Sequence, residues 1–191
     1  TEQQANEALA KFPGTERRAC TRLKLENTVL LEDYAHHPSE VAAFIQALKE
    51  QYPKHRQIVI FQPHRFERLK KYHREFAREL QQIDQVFVSD TFAAWIPQDE
   101  EDPIKKLIAQ SGDNTQHLPG ENWLEMAETV IQQIDEQPTV ITVMGAGTIQ
   151  KIIPALSALL IRQLIQKELP ELFIEKDCTW KNITTLGIGG A

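Results

Sequence analysis

Short runs of valine and isoleucine alternate along the chain with longer segments of helical periodicity, and this alternation excludes most folds. The runs at 28–33, 57–62, 85–90 and 139–145 predict strands, and a weaker run at 114–118 predicts a fifth. Four of them are short and apolar enough to be buried on both faces, as parallel strands are. The pattern therefore indicates successive βαβ units.

Segments with helical periodicity separate and flank these strands. They cover residues 1–11, 38–51, 66–81, 103–110, 121–135 and 149–167. Pro38 lies in the first turn of the second segment, where a missing N–H costs no hydrogen bond. Residues 16–27 alternate polar and apolar side chains and predict an edge strand that pairs with the strand at 28–33. We therefore expect an α/β fold: a Rossmann-like, open, mostly parallel sheet of about six strands with helices on both faces.

The composition limits the partners of such a fold. The chain has 191 residues, 41% of them hydrophobic, and a formal charge of −6, which is typical of a globular domain and argues against a nucleic-acid partner. The most apolar run, 152–161, is about half as long as the roughly 20 residues of a membrane span, so we expect no membrane partner. Cys20 and Cys178 match neither a zinc spacing nor a disulfide framework, which favours a reducing, cytoplasmic localisation.

Polar side chains follow three of the predicted strands. The segment DYAHH at 33–37 ends the first parallel strand, His64, Arg65 and Arg68 follow the second, and GAG at 145–147 follows the last. Ligands of open α/β sheets bind at the carboxyl ends of the strands. If the first two of these strands are neighbours, the clusters share one edge of the sheet, and we expect the binding site there.

Each of these clusters also has a purely structural interpretation. His36 and His37 could cap the helix that follows them, and Asp33 could accept backbone N–H groups at the turn. Arg65 and Arg68 could be solvated helix residues, paired with nearby glutamates at little net gain. The convergence of the clusters is what favours a binding site over these alternatives.

Two further motifs are less specific. The turn at 145–147 resembles a phosphate-binding loop, but Gln150 stands where GxGxxG has its third glycine, and the two glycines could simply allow tight packing. Arg17 and Arg18 follow a glycine turn and could be a surface pair. Neither motif identifies a function by itself.

The residues at the predicted edge could also form a metal site. Asp33, His36, His37 and His64 are all potential ligands. Adjacent histidines project in different directions, however, and the neighbouring arginines repel a cation. We therefore expect no metal site within this chain.

Three segments in this order resemble the C-terminal domain of the Mur ligases: LEDYAHHPSEV, IVIFQPHRFERLKKYHREFA and VMGAGTIQKI. The resemblance covers about residues 8–165 and is greatest to the member that joins L-alanine to UDP-N-acetylmuramate. It implies an ATP-dependent and magnesium (Mg)-dependent carbon–nitrogen ligase of peptidoglycan synthesis, and hence of cell-wall biogenesis, cell shape and cell division. The family makes an acyl phosphate of the sugar's carboxylate, which the amino acid attacks.

The resemblance also implies which residues contact ATP. Asp33 would hold the ribose hydroxyls, for which a fixed carboxylate is suited. Arg18 matches the family arginine that reaches toward the terminal phosphate, where a planar, permanently charged donor works well. His36 and His37 would line the cleft that faces the family's central domain.

The amino-acid contacts follow in the same way. Tyr34 would line the cleft beside them, and His64, Arg65 and Arg68 match the segment that positions L-alanine. An arginine suits the substrate's carboxylate. We add the hypothesis that a neutral His64 accepts a proton from the amine.

Some features depart from the family pattern. Ala19 stands where the family usually has an aromatic residue, Glu32 replaces a common aspartate and Ser39 a common threonine. No GxxGKT-type phosphate loop occurs in the sequence. In the family that loop, the Mg ligands and the sugar-nucleotide site lie on two preceding domains. We therefore expect UDP-N-acetylmuramate and Mg to be bound through those domains, and this chain, as one wall of the active site, to be inactive alone.

The expected domain organisation has three parts. Residues 1–13 would end a central-domain helix and form a hinge, and residues 14–167 would form the amino-acid-binding domain. Residues 168–191 would be a poorly ordered linker and the start of another domain, because CTWKNITTLGIGGA at 178–191 resembles the opening of UDP-N-acetylenolpyruvoylglucosamine reductase. We expect an excerpt of a longer protein, with FAD as a cofactor only if that reductase follows.

Two other functions remain open from the sequence alone. The α/β pattern and the glycines at 145–147 are compatible with a dinucleotide-dependent oxidoreductase domain, which would bind NAD or NADP. The acidic surface is compatible with a non-catalytic interaction module. Cofactor titration separates the first of these from the ligase interpretation.

Overall fold

The computed structural model describes residues 1–11, 15–94 and 103–169. Six strands are present in the described ranges: β1 Cys20–Lys24, β2 Thr28–Asp33, β3 Arg56–Phe61, β4 Gln85–Ser89, β5 Thr115–Leu118 and β6 Thr139–Met144. The helices are α1 Glu2–Lys11, α2 Pro38–Gln51, α3 Phe66–Leu80, α4 Ile104–Ser111, α5 Trp123–Ile131 and α6 Ile153–Glu168, with a 3₁₀ turn at Ile149–Ile152. The predicted reductase-like tail at 178–191 and part of the predicted hinge lie outside the described residues.

The strands form one sheet in the order β1-β2-β6-β3-β4-β5, parallel except for β1, which pairs with β2 in the antiparallel direction. This confirms the predicted open, mostly parallel sheet, and the edge strand predicted to pair with β2 is antiparallel to it. The two strands that precede the predicted site are not neighbours, however, because β6 lies between them and pairs with both. All six residues of β6 are buried, which suits it to this interior position.

Alternate residues of the strands supply two hydrophobic cores. Val29 and Leu31 of β2 face one core together with side chains of α2, α3 and α4. Leu30 faces the other core together with side chains of α5 and α6. Helices therefore cover both faces of the sheet, as the sequence predicts.

The ends of β2, β6 and β3 lie at the same level. Met144, the last residue of β6, is the register partner of both Asp33 in β2 and Phe61 in β3. The chain leaves β2 and β3 toward helices on one face of the sheet and leaves β6 toward α6 on the other. Two crevices therefore flank β6 at the carboxyl edge, where open α/β sheets bind their ligands.

The last predicted helix begins later than its periodicity indicates. A 3₁₀ turn occupies Ile149–Ile152, and the α-helix starts at Ile153. Pro154 lies in the first turn of α6, where its fixed φ fits and no donor is needed. None of the described helices combines the length and apolarity that crossing a membrane requires.

Candidate functional site

The carboxyl edge of the sheet brings the three predicted polar clusters together. The Gly145 N–H donates to the Asp33 carbonyl at 3.0 Å, which joins the loops after β6 and β2. An Arg68 Nη1 donor lies 3.4 Å from the His36 carbonyl, which joins α3 to the loop after β2 although β6 separates the strands. The joined segments are residues 33–37, 62–68 and 145–148, and they are called the rim below.

Asp33 lies at the buried base of the rim and is 5% exposed. One carboxylate oxygen accepts the Ala35 N–H at 2.7 Å, and the other accepts the Ala19 N–H at 2.8 Å. Burial raises the pKa of Asp33 above its ordinary value, although these two hydrogen bonds oppose the shift. Asp33 thus orders the turn after β2, and each oxygen retains a second acceptor position.

The two adjacent histidines begin α2 in different ways. His37 is the N-cap: its ring accepts the Ser39 N–H at 3.4 Å, and Glu40 completes a capping box by accepting the His37 backbone N–H at 3.2 Å. The His36 Nδ1 lies 3.0 Å from the Tyr34 carbonyl, and its ring meets the Tyr34 ring edge-on at 5.2 Å. The cap interpretation therefore holds for His37, whereas His36 lies within the rim.

His64 is the most unusual ionisable group at the rim. Its ring stacks on Phe92 with the centroids 5.4 Å apart and meets the His36 ring edge-on at 5.6 Å. Burial, together with the charges of His36, Arg68 and Arg65, lowers the pKa of His64 to about 4. Its Nδ1 is buried and has no hydrogen-bond partner among the described residues.

Arg65 and Arg68 flank His64 at the start of α3. Arg65 is exposed and has φ 70, a left-handed conformation that is uncommon for a side chain other than glycine. Arg68 is half-buried. Within the described ranges neither arginine forms an ion pair with Glu67 or Glu75, so the two guanidinium groups lack the glutamate partners of the structural interpretation.

Arg17 and Arg18 differ sharply, although the sequence treats them as one possible surface pair. Arg17 Nε binds Glu32 at 2.6 Å, and the Glu32 side chain is only 4% exposed. Arg18 is 45% exposed, approaches Glu40 at 3.4 Å and lies 5.6 Å from the centre of the Tyr34 ring. The surface interpretation is therefore wrong for Arg17, and Arg18 is the guanidinium that stays accessible at the rim.

The side chain of Gln62, the residue after β3, fills the loop after β6. The Gln62 Oε1 accepts the N–H groups of Thr148 at 2.7 Å and Ile149 at 3.0 Å. A Cβ on Gly147 would lie 2.3 Å from that oxygen and 2.7 Å from Phe92. These glycines therefore serve close packing, and Gln62 takes the donors that a dinucleotide's pyrophosphate would need.

A cleft of about 320 Å³ opens beside the rim, between the ends of β4 and β5. Phe92 and Trp123 form apolar parts of its wall, and Asp90 and Glu121 add carboxylates. Asp90 accepts the Gly120 N–H at 2.9 Å and lies 2.7 Å from the His117 ring. Sequence reasoning missed this cleft, although an aspartate directly after a buried strand is a usable signal.

A metal centre has no ligand set in the part of the chain that the structure describes. There, no group of three or more His, Cys, Asp and Glu side chains is placed to hold an ion. His36 and His64 approach one another, but His37 is turned to the N-cap of α2. The expected absence of a metal site remains a prediction.

Known proteins are similar to this chain in sequence and fold. The UDP-N-acetylmuramate–L-alanine ligase of Christiangramia forsetii is 35% identical over 148 residues, which cover 74% of this chain and 30% of that enzyme. The enzyme of the same name from Flavobacterium johnsoniae is 31% identical over 153 residues, which cover 80% of this chain and 33% of the relative. This chain thus spans about a third of the length of the curated relatives that it matches.

A solved structure and a family profile point the same way. The UDP-N-acetylmuramate-alanine ligase MurC of Thermotoga maritima superposes with a TM-score of 0.64 at 26% identity, over 82% of this chain and 33% of that one. The profile described as "Mur ligase, glutamate ligase domain" matches residues 17–147, which include β2, β3, β6 and most of the rim. The chain therefore belongs to the Mur ligase family and forms its C-terminal, glutamate ligase domain.

Proposed function

We propose that this domain is one wall of the active site of an ATP-dependent ligase that joins L-alanine to UDP-N-acetylmuramate. The sequence relatives carry that activity in their names, and the proposal is supported by the exposed guanidinium groups of Arg18 and Arg65 and the half-buried one of Arg68. ATP supplies the phosphoryl group that activates the sugar's carboxylate. The role of this chain is to bind and orient the nucleotide and the amino acid.

The nucleotide side of the site consists of Arg18, beside the rim, and of Asp33, His36 and His37 within it. Arg18 contacts the terminal phosphate, a role supported by its exposure and its single weak ion pair with Glu40. Asp33 accepts hydrogen bonds from the ribose hydroxyls through its remaining acceptor positions. His36 lines the cleft toward the nucleotide, and His37 contributes from the N-terminal turn of α2, which it caps. Mg is held by other domains of the enzyme.

The amino-acid side consists of Tyr34, His64, Arg65 and Arg68. The arginines bind the substrate's carboxylate, and His64 bonds its amine. The observation that carries the proposal is the unpaired Nδ1 of His64, because a buried polar atom is costly unless a ligand completes its bonding. A pKa of about 4 keeps this ring neutral but makes it a weak base, which favours positioning of the amine over strong general-base catalysis.

The isolated domain binds weakly and does not turn over. Stabilising the charge of a phosphoryl-transfer transition state needs donors and metal from several domains at once. With most contacts absent, we expect ATP affinity in the millimolar range, about 4 kcal/mol. ATP-dependent ligation by these 191 residues alone would contradict this part of the proposal.

A chimera tests the proposed activity. The segment of the Christiangramia forsetii enzyme that aligns with this chain is replaced by this chain, and ATP-dependent consumption of L-alanine is measured. We expect turnover, and we expect Arg68→Gln and His64→Gln in the chimera to lower kcat/KM for L-alanine by about tenfold or more, as the loss of one charge-assisted contact does.

Arg78→Gln is the matched control, because Arg78 lies on the same helix but is 73% exposed and pairs only with its neighbour Glu79. We expect it to leave kcat/KM unchanged. A folded chimera without activity, or an Arg68→Gln variant as active as Arg78→Gln, would refute the proposed assignment. A His64→Gln variant with normal turnover and pH dependence would refute the proposed role of His64 and leave the roles of the other residues standing.

A further inference from the structure

Glu32 is a buried carboxylate held between two arginines. Its Oε1 binds Arg17 Nε at 2.6 Å, and its Oε2 binds Arg22 Nε at 2.7 Å. Both oxygens of this side chain are therefore used inside the protein. A buried carboxylate that binds two guanidinium groups fixes the geometry of both, because losing the carboxylate would leave two arginines without their counter-charge.

Arg17 extends this arrangement across the sheet edge. Its Nη2 donates to the Gly145 carbonyl at 2.9 Å and approaches Gln150 Oε1 at 3.2 Å. One guanidinium thus links the end of β2, through Glu32, to the loop after β6. It closes the crevice between these strands in the way that Gln62 closes the crevice between β6 and β3.

The segment around Arg18 has a strained backbone. Arg17 has φ 60 and Ala19 has φ 48, so residues in the left-handed region flank Arg18 on both sides. Such conformations persist where surrounding contacts over-determine them and occur at functional sites. The contacts here are the Arg17–Glu32 pair on one side and the Ala19 N–H bond to Asp33 on the other.

Arg18 itself is held by little else. Its ion pair with Glu40 spans 3.4 Å between partly exposed side chains, and its guanidinium is 5.6 Å from the centre of the Tyr34 ring. The backbone on either side therefore fixes the position from which its side chain extends. That backbone is held where Arg17 reaches Glu32 and Gly145.

We propose that Glu32 and Arg17 are positioning residues that hold the strained turn at 17–19, so that the Arg18 guanidinium faces the terminal phosphate of a nucleoside triphosphate. The inference rests on the proposed function, in which Arg18 contacts that phosphate. Neither Glu32 nor Arg17 touches the nucleotide in this scheme. Their effect passes entirely through Arg18.

The affinity ratio between ATP and ADP tests this, because only ATP carries the terminal phosphate. Dissociation constants of both nucleotides for the 191-residue chain are measured by NMR titration in the same buffer. We expect a preference for ATP on the order of tenfold, the value of one charge-assisted contact. Arg18→Gln should abolish the preference for ATP. Glu32→Gln should remove most of the preference and leave the affinity for ADP unchanged.

A double-variant cycle and two further variants complete the design. Adding Glu32→Gln to Arg18→Gln should cause no further change in the ratio, since both act through one guanidinium. Glu26→Gln, which neutralises an exposed glutamate before β2, should keep the wild-type ratio. If Glu32→Gln does not fold, Arg17→Lys decides the matter, because it keeps the charge but loses the branched contacts to Glu32 and Gly145.

The outcomes distinguish the proposed phosphate contact of Arg18 from the positioning role of Glu32 and Arg17. No ATP preference in the wild type, or a preference that survives Arg18→Gln, overturns the proposed phosphate contact of Arg18 and the inference with it. A preference that Arg18→Gln abolishes but that a folded Glu32→Gln or Arg17→Lys variant retains overturns the positioning role alone.

Discussion

The His64 ring packs between the rings of Phe92 and His36, and the guanidinium groups of Arg65 and Arg68 lie near it. Burial removes water from the ring, and the nearby positive charges repel a proton that would give the ring a positive charge. Both effects disfavour the imidazolium. The Nδ1 of a neutral ring can either donate a hydrogen bond to a ligand or accept one from it, depending on which ring nitrogen carries the proton.

The first prediction concerns the titration of this ring. We expect the His64 imidazole in the free chain to titrate with a midpoint at about 4, which is below the ordinary histidine value. The measurement is an NMR pH titration of the histidine ring signals, with the His64 signal assigned by its loss in His64→Gln. A midpoint near 6.5 would show that the ring is solvated and that its surroundings do not exclude charge.

The same shift has a consequence for stability. Because the folded-state pKa lies below the unfolded value, protons bind the unfolded chain more readily between about pH 6.5 and pH 4. His64 therefore lowers the free energy of unfolding as the pH falls through this window and has no such effect above it. Urea unfolding of the wild type and His64→Gln should diverge in that window, with the variant losing less stability on acidification.

At the scale of elements, the ends of β3 and β6 are joined by one amide side chain. Gln62 accepts two N–H groups at the start of the 3₁₀ turn and is 6% exposed. The Ile149 N–H is buried and the Thr148 N–H is partly buried, so losing the acceptor leaves at least one donor poorly solvated. The junction of β3, β6 and α6 therefore depends on this residue.

The second prediction follows from that dependence. Gln62→Leu should lower the free energy of unfolding by about 2–4 kcal/mol, because the N–H groups of Thr148 and Ile149 lose their acceptor. Gln62→Glu, which keeps an acceptor oxygen at the same place, should lose clearly less at neutral pH. Equal losses for the two variants in urea unfolding would mean that packing, and not the hydrogen bonds, gives Gln62 its importance.

The third prediction concerns the neighbouring glycine. Gly147→Ala should destabilise the fold by about 1–3 kcal/mol, because the added Cβ would overlap Gln62 Oε1 and the Phe92 ring. Gly120→Ala provides the comparison: it meets no atom within 4 Å, and its cost arises only from a φ of +98. A Gly147→Ala variant as stable as the wild type would show that the Phe92 loop moves freely away from the rim.

The elements themselves could be read from the sequence, because local periodicity determines them. The strands β2, β4 and β6 begin and end within one residue of the predicted bounds, and Pro38 begins α2. The order of the strands could not be read in this way. Nothing local indicates that β6 inserts between β2 and β3, since this depends on pairing between segments far apart in the sequence, such as Thr28 with Thr139 and Arg56 with Thr139.

The candidate site could likewise be predicted only in part. The rim residues could be predicted because each directly follows a buried strand. The contacts that hold the rim could not, because Gln62 meets Thr148 across 86 residues and Arg17 meets Gly145 across 128. Such contacts carry no sequence pattern, and this is why the sequence alone leaves a surface position for Arg17 open.

At the scale of the whole molecule, the carboxyl edge carries the accessible chemistry while the crevices beside β6 are closed from within. Gln62 fills one crevice, and the Arg17–Glu32 pair closes the other. Under the proposed function, the ligands contact the rim from above, where Arg18, His64 and Arg68 are partly or fully exposed. Such a surface would be half of a site, which another domain of the ligase would complete.

The most direct test of this account is a map of backbone amide shifts in the chain titrated with ATP and then with L-alanine. We expect ATP to perturb residues 18 and 33–37, and L-alanine to perturb residues 64–68, at millimolar ligand concentrations. Shifts confined to the opposite, amino-terminal edge of the sheet, at residues 52–57 and 134–137, would contradict the account, as would the absence of any shift at the rim.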